Sequence, residues 1–259
     1  MPILKREFTI FIMALMYFTR IPLPHKLQLY SEPEMKHLMR YFPLVGMVIA
    51  LLAIAAYKLF LLIPSLPYDV TILLTMGILI LATGALHEDG LGDVFDAFGG
   101  GAGNREKILH IMKDSRLGTF GVIALILNLL LKFSLLKALP PLQMPTALLL
   151  MSTLARYTLV FFLLSDGYAG NNELSKSKSL VDSLALFDFT IATLCTFSLC
   201  LLITSPLITL TLVLILLSCC FLLRLYFKSN IGGYTGDTLG ASEQIFEILI
   251  LLTLTLLFK

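Results

Sequence analysis

Apolar runs long enough to cross a bilayer dominate this sequence. Residues 42–63, 70–86, 117–136, 144–164, 186–204, 207–227 and 239–258 are each about as long and as apolar as the roughly 20 residues that a helix needs to span a hydrocarbon core. Such a chain cannot fold as an ordinary soluble domain, in which roughly a quarter of the residues are charged. Here 58% are hydrophobic and 14% charged, with mean hydropathy +0.91. No core formed by 259 residues absorbs that much Leu, Ile and Val, so the surplus faces lipid. The expected fold is all-α, a polytopic transmembrane bundle of about seven spans. The four cysteines, Cys195, Cys200, Cys219 and Cys220, lie inside apolar runs without a CxxC pair, which reads as buried thiols and not as ligands or disulfides. A net charge of +2 with no basic tract gives no reason to expect nucleic acid.

The ends of the chain are less clear-cut than its middle. The last run carries Glu243 and Glu247 in its first turns and is the weakest span. Residues 8–19 are apolar but only 12 long, with Lys5 and Arg6 before them and Arg20 after. That pattern suits an interfacial or re-entrant helix within an N-terminal segment, 1–41, and lacks the small-residue cleavage site of a signal peptide. With seven spans, fourteen Lys and Arg fall on the side of the N-terminus. Lys58, Lys132, Lys137 and Lys259 fall on the other, while Arg156 lies within a span and needs an anionic partner. The bias predicts a cytoplasmic N-terminus. Three long polar connections, 87–116, 165–185 and 229–242, then share the cytoplasmic side of one membrane domain, 1–259, and loops of this kind carry chemistry on a rigid scaffold.

The first of these opens with the densest charge in the chain. Glu88, Asp89, Asp93 and Asp96 fall within nine residues, directly after His87. If the stretch is helical, Asp89, Asp93 and Asp96 share one face. Carboxylates so placed repel unless a cation neutralises them, and hard oxygen ligands suit Mg²⁺ or Mn²⁺ shared with substrate phosphates. The plainer alternative is a solvated acidic turn capping a membrane helix. The loop continues through Gly99-Gly100-Gly101-Ala102-Gly103, able to bring amides to a phosphate or to act as a simple linker. Arg105, Lys107, Lys113 and Arg116 follow, and Arg116 could grip a phosphate bidentately or simply anchor the loop. The glycine-rich 232–240 stretch carries Asp237 and leads to Glu243, as if to complete a metal or phosphate site at a helix start. Asp166-Gly167-Tyr168-Ala169-Gly170-Asn171-Asn172 reads equally well as a turn. His87 could serve as a general base, although a lone histidine is more often structural.

Four segments in the same order resemble the cobalamin synthase family, whose members are adenosylcobinamide-GDP ribazoletransferases. They are Phe18-Thr19-Arg20-Ile21-Pro22-Leu23-Pro24; residues 87–96; Met112-Lys113-Asp114-Ser115-Arg116-Leu117-Gly118-Thr119-Phe120-Gly121; and Gly232-Gly233-Tyr234-Thr235-Gly236-Asp237-Thr238-Leu239-Gly240-Ala241. The family's acidic motif commonly ends Asp-Thr-Ala-Asp-Gly, where this chain has Asp93-Val94-Phe95-Asp96-Ala97. The acids are kept and only the backbone near Ala97 departs. The resemblance implies a late step of vitamin B12 biosynthesis in the bacterial inner membrane. A hydroxyl of α-ribazole, or of its 5′-phosphate, attacks adenosylcobinamide-GDP and GMP leaves, with Mg²⁺ as cofactor. It also implies roles. Glu88, Asp89, Asp93 and Asp96 would hold the metal, and Asp89, Asp93, His87, Lys113 and Arg116 would carry the catalysis. Arg20, Asp114, Ser115, Thr235, Asp237 and Glu243 would contact substrate, and a homo-oligomer is compatible with the chain. Two rivals remain. A CDP-alcohol phosphotransferase would need an Ala-Arg pair after Asp89-Gly90, which is missing. A transporter or channel would place its polar groups near the midplane, whereas here most acids sit at span ends.

Overall fold

A computed structural model describes residues 3–164, 167–169 and 184–258. Among these it contains ten α-helices and no strand: α1 (Ile3–Phe18), α2 (Phe42–Leu61), α3 (Tyr68–Thr83), α4 (Leu86–Gly101), α5 (Arg105–Ile111), α6 (Thr119–Ala138), α7 (Met144–Phe162), α8 (Leu186–Ile203), α9 (Pro206–Ile231) and α10 (Gly236–Leu257). Each of the seven apolar runs is a helix. Among the described residues six helices are long and apolar enough to cross a membrane, and α3 with α4, joined at an 87° bend, brings the number to seven if the pair is counted as one span. The all-α polytopic bundle expected from the apolar runs is the observed fold.

The helices are not equivalent. Along its apolar window α7 is 78% buried and α10 61%, against 22% for α8 and for α9. α7 and α10 therefore form the centre, packed on α2 and α4, while α8 and α9 turn most of their Leu side chains outward to where lipid lies. Close crossings are made by small residues, as is usual when helices pack without water to exclude. A Cβ at Gly46 of α2 would strike the Ser152 carbonyl of α7. Pro43, Pro145 and Pro206 sit in the first turns of α2, α7 and α9, where a missing amide proton costs nothing.

Three parts differ from the sequence reading. Residues 87–116 are mostly helix, α4 and α5. The change of direction is made just before them by Gly84 (φ 67°) and Ala85 (φ 58°), a left-handed pair that ends α3 and sends α4 off nearly at right angles. The 229–242 connection shrinks to residues 232–235, because α9 runs on to Ile231 and α10 starts at Gly236. Lys132 is not an outer-rim cation but is buried within α6. A carboxylate from α10 neutralises it there, so its place is set by a partner and not by solvent. Of the 165–185 connection, 167–169 and 184–185 are described, and the Asp166–Asn172 turn lies mainly outside the described residues. Tyr168 bridges to Tyr234, with the Ala169 amide donating to the Tyr234 carbonyl at 2.8 Å.

At the N-terminus, α1 is 16 residues long rather than 12. Ile10, Met13 and Ala14 are buried, and the helix packs on a 3-10 helix, Glu32–Tyr41, and on α2. Arg40, itself buried, clamps the two with hydrogen bonds of 2.9 and 2.7 Å to the Glu7 carboxylate, and pairs with Asp188 of α8.

Candidate active site

The polar residues converge where α4 crosses the start of α10. Gly90 makes that crossing possible. A Cβ there would lie 2.8 Å from the Asp237 carbonyl oxygen and 3.3 Å from the Gly240 Cα. Helix α10 begins with a capping box: the Thr238 amide donates to Thr235 Oγ1 and the Thr235 amide to Thr238 Oγ1. This fixes Asp237 in the first turn, over α4. Asp89 and Asp93, one turn apart on α4, meet it. The α4 acids lie off the apolar spans. Burial, then Asp237, Asp89 and Asp96 in that order, push the Asp93 carboxyl up to about 6. None of Asp89, Asp93 and Asp237 has a salt bridge among the described residues.

The other two acids of the motif turn elsewhere. Asp96 accepts from the amides of Gly118 (2.6 Å) and Gly121 (2.9 Å), capping the free donors at the start of α6. Glu88 accepts from Gln244 Nε2 at 3.3 Å, facing the interior. The four carboxylates expected as one metal set are thus divided. Two remain at the rim and are joined there by Asp237.

The expected cations Lys113 and Arg116 lie on the segment that follows α5. Asp96 ties the 112–118 segment to α4, and Thr235 Oγ1 donates to Met112 Sδ at 3.2 Å, which ties the same segment to α10. Lys113, Ser115 and Arg116 are exposed on it. Arg116 forks onto Asp114 at 2.6 to 3.1 Å, and those bonds hold the Asp114 carboxyl at about 2. Arg116 is itself largely exposed, with Asp114 two residues away as its partner. The Arg20 backbone donates to Ala82 at 2.7 Å, and its side chain lies over Gly84, at the α3–α4 bend.

Below the rim lies a second polar group that the sequence reading only touched through His87, Arg156, Glu243 and Glu247. Arg156 finds its anions in Glu243 (2.9 Å) and Glu247 (3.7 Å) and approaches His87 Nδ1 at 3.4 Å. Glu243 is wholly buried there, away from the open rim. Lys132 pairs with Glu247 and donates to Gln244 at 2.6 Å, and Asn128 donates to the same Gln244 oxygen at 2.7 Å. Asn128, Lys132 and Gln244 were missed as its members. The available signal was the i, i+4 spacing of Glu243 and Glu247, together with a cation placed 13 residues into a 20-residue apolar helix.

What this arrangement can do is hold a cation against anionic substrate groups. Among the described residues no three His, Cys, Asp or Glu side chains close into a preformed metal cage. Three open carboxylates without paired cations fit Mg²⁺, which keeps several waters and is completed by substrate phosphates. The geometry depends on the bare Gly90 contact. Gly90→Ala would push α4 off α10 by a few tenths of an ångström or more. The expected cost is about 1–3 kcal/mol in unfolding free energy and at least a tenfold loss of turnover. Thermal unfolding and steady-state rates of the purified variant check both.

Comparison with known proteins adds identity. The family model for cobalamin-5-phosphate synthase matches residues 10–255. The adenosylcobinamide-GDP ribazoletransferase of Shewanella sp. (strain W3-18-1) is 42% identical over 252 residues, covering 96% of this chain and 94% of its own. That of Shewanella amazonensis is 41% identical over 258 residues, covering 98% of both. The Shewanella piezotolerans protein of the same name is 40% identical over 255 residues, 96% of each. No solved structure matches the chain. A match over nearly the whole length, with the acidic helix and the Asp-Ser-Arg segment built into one rim, places this chain in the cobalamin-5-phosphate synthase family.

Proposed function

We propose that this protein joins α-ribazole, or its 5′-phosphate, to adenosylcobinamide-GDP with release of GMP, working with Mg²⁺ at the cytoplasmic face of the inner membrane. The observation that supports the site assignment is the meeting of Asp89 and Asp93 with Asp237, on a helix that Asp96 ties to the segment carrying the exposed Lys113 and Arg116. In the reaction a ribose hydroxyl oxygen bonds to the cobinamide-side phosphorus. The bond from that phosphorus to the bridging diphosphate oxygen breaks, and GMP departs with the electron pair. Such chemistry needs positioning and charge stabilisation more than covalent help from the protein. A bound Mg²⁺ would neutralise diphosphate oxygens and the charge on the leaving GMP. Asp89, Asp93 and Asp237 would hold the metal, and one of their carboxylates would accept the hydroxyl proton. Lys113 and Arg116 take the outer phosphate oxygens, with Arg116 exchanging Asp114 for phosphate. The sequence bias, fourteen Lys and Arg expected on the side of the N-terminus against three once Lys132 is counted inside, supports a cytoplasmic site.

The deep polar group does not favour a transport path. Its cavity measures about 20 Å³, room for a single water.

The test is GMP release from adenosylcobinamide-GDP and α-ribazole by the detergent-purified protein. EDTA should lower the rate by at least 10²-fold, and Mg²⁺ should restore it. Mg²⁺ alone should also raise the melting temperature of the substrate-free protein. Release that is indifferent to EDTA would remove the metal from the proposal, and no release from folded protein would remove the transferase.

A further inference from the structure

Next to the rim carboxylates, the fold leaves a cavity of about 190 Å³ that the reaction as described does not use. Its walls are aromatic and aliphatic: Tyr17 and Phe18 from α1, Phe42 from α2, Leu159 from α7 and Leu239 from α10. His87, Asp89 and Asp237 also border it. The aromatic side is tightly set. Phe18 and Phe42 lie 4.3 Å apart between ring centroids, and Tyr17 meets Phe18 edge-on at 4.9 Å. Phe18, Phe42 and Leu159 are each at most 8% exposed, so this wall is packed into the bundle.

We propose that this cavity binds the base of the acceptor nucleoside, with the N-terminal helix α1 as one wall of the site. The inference rests on the transferase reading above. The two substrates present three large groups: a corrin ring, a guanine and the dimethylated benzimidazole of α-ribazole. A corrin ring is too large, since even drug-sized ligands occupy pockets of about 300–1,000 Å³. Guanine carries donors and acceptors along two edges, and the aromatic and aliphatic side of the cavity has no partner for them; the polar groups, His87, Asp89 and Asp237, stand only at the border where the reacting groups lie. The methylated benzimidazole is flat and almost wholly apolar, of a size for this space, and suited to stacking on an aromatic wall. A base held here leaves its ribose at the border formed by Asp89 and Asp237, where a hydroxyl must lose its proton. The short amphipathic helix before the first span thereby acquires a purpose: it shapes substrate.

The proposal is tested with α-ribazole as the probe, on the full-length protein in detergent, by calorimetric binding without donor and by steady-state kinetics. Leu159→Phe, which fills the cavity, should weaken α-ribazole binding and raise its KM by at least tenfold. The KM for adenosylcobinamide-GDP should stay within about twofold. A ladder on the unaltered protein needs no variant to fold. Removing both methyls from the base should weaken binding by about tenfold, since each methyl buried is lost from an apolar site. A KM change confined to the donor, or binding that ignores the methyls, would overturn the assignment. If the protein binds α-ribazole with this dependence but releases no GMP, the pocket stands and the transferase reading fails instead.

Discussion

Asp237→Asn lowers GMP release as severely as Asp89→Asn, on the order of 10²–10³-fold, the usual loss when one group stabilising transition-state charge is removed. The expectation follows from the crossing of α4 and α10, because Asp237 faces the same space as Asp89 and Asp93 although it lies far along the chain. Stability should move the other way. Three unpaired carboxylates repel, and the Asp93 carboxyl is pushed up to about 6. An acid whose folded value is raised is tolerated best when protonated. The cost is therefore absent below about pH 4 and fully present above about pH 6. Asp93→Asn should gain about 1 kcal/mol at pH 7.5, after allowing for solvent screening of a half-exposed group. The gain should shrink as the pH falls from 6 to 5. Melting curves at pH 7.5, 6 and 5 without Mg²⁺ check the trend. A variant that loses both stability and activity at pH 7.5 would instead make Asp93 a structural group.

The contrast between what the sequence carried and what only the fold supplied is physical. Span number follows from local composition, because each helix must satisfy its own backbone in lipid whatever its neighbours do. All seven apolar runs are helices for that reason. The bend after Thr83 was not visible in the same way. Gly84 permits a left-handed turn, but the second residue to adopt one is Ala85, which composition would not single out. The acidic motif was legible as unusual charge and as one face of a helix, yet Asp96 shares that face and still turns aside. Its choice was decided by the unfilled amide donors at the start of α6, a partner 22 residues away. Asp237 joined Asp89 for a similar reason, through contact between Gly90 and Gly240 that no spacing rule expresses. Lys132 was misplaced because a lone cation near the end of an apolar run ordinarily marks a membrane edge. Only the carboxylate on α10 reveals that it belongs to the interior.

That interior pairing sets the largest expected loss of stability. Lys132→Met leaves Glu247 buried beside Glu243 with Arg156 alone to balance two carboxylates. Lys132 and Arg156 face Glu243 and Glu247 in the wild-type group, and removing one member breaks that balance in a space with room for a single water. The expected cost is about 3–5 kcal/mol, the range for breaking a buried ion pair by deleting one partner. The same reasoning predicts a rescue. Lys132→Met with Glu247→Met restores the balance and replaces the pair with apolar volume, so most of the loss should return. Chemical or thermal unfolding in detergent distinguishes the outcomes, and Glu247→Met alone should be as damaging as Lys132→Met. If the double variant is no more stable than either single one, the pair is not an isolated charge balance. Gln244, which accepts from Lys132 and Asn128 and donates to Glu88 and Glu243, would then be the residue through which the interior holds the acidic helix in place. GMP release by the stable double variant separates these cases further. Preserved turnover assigns the group to folding, whereas loss of turnover in a stable protein assigns it to positioning α4 under the rim carboxylates.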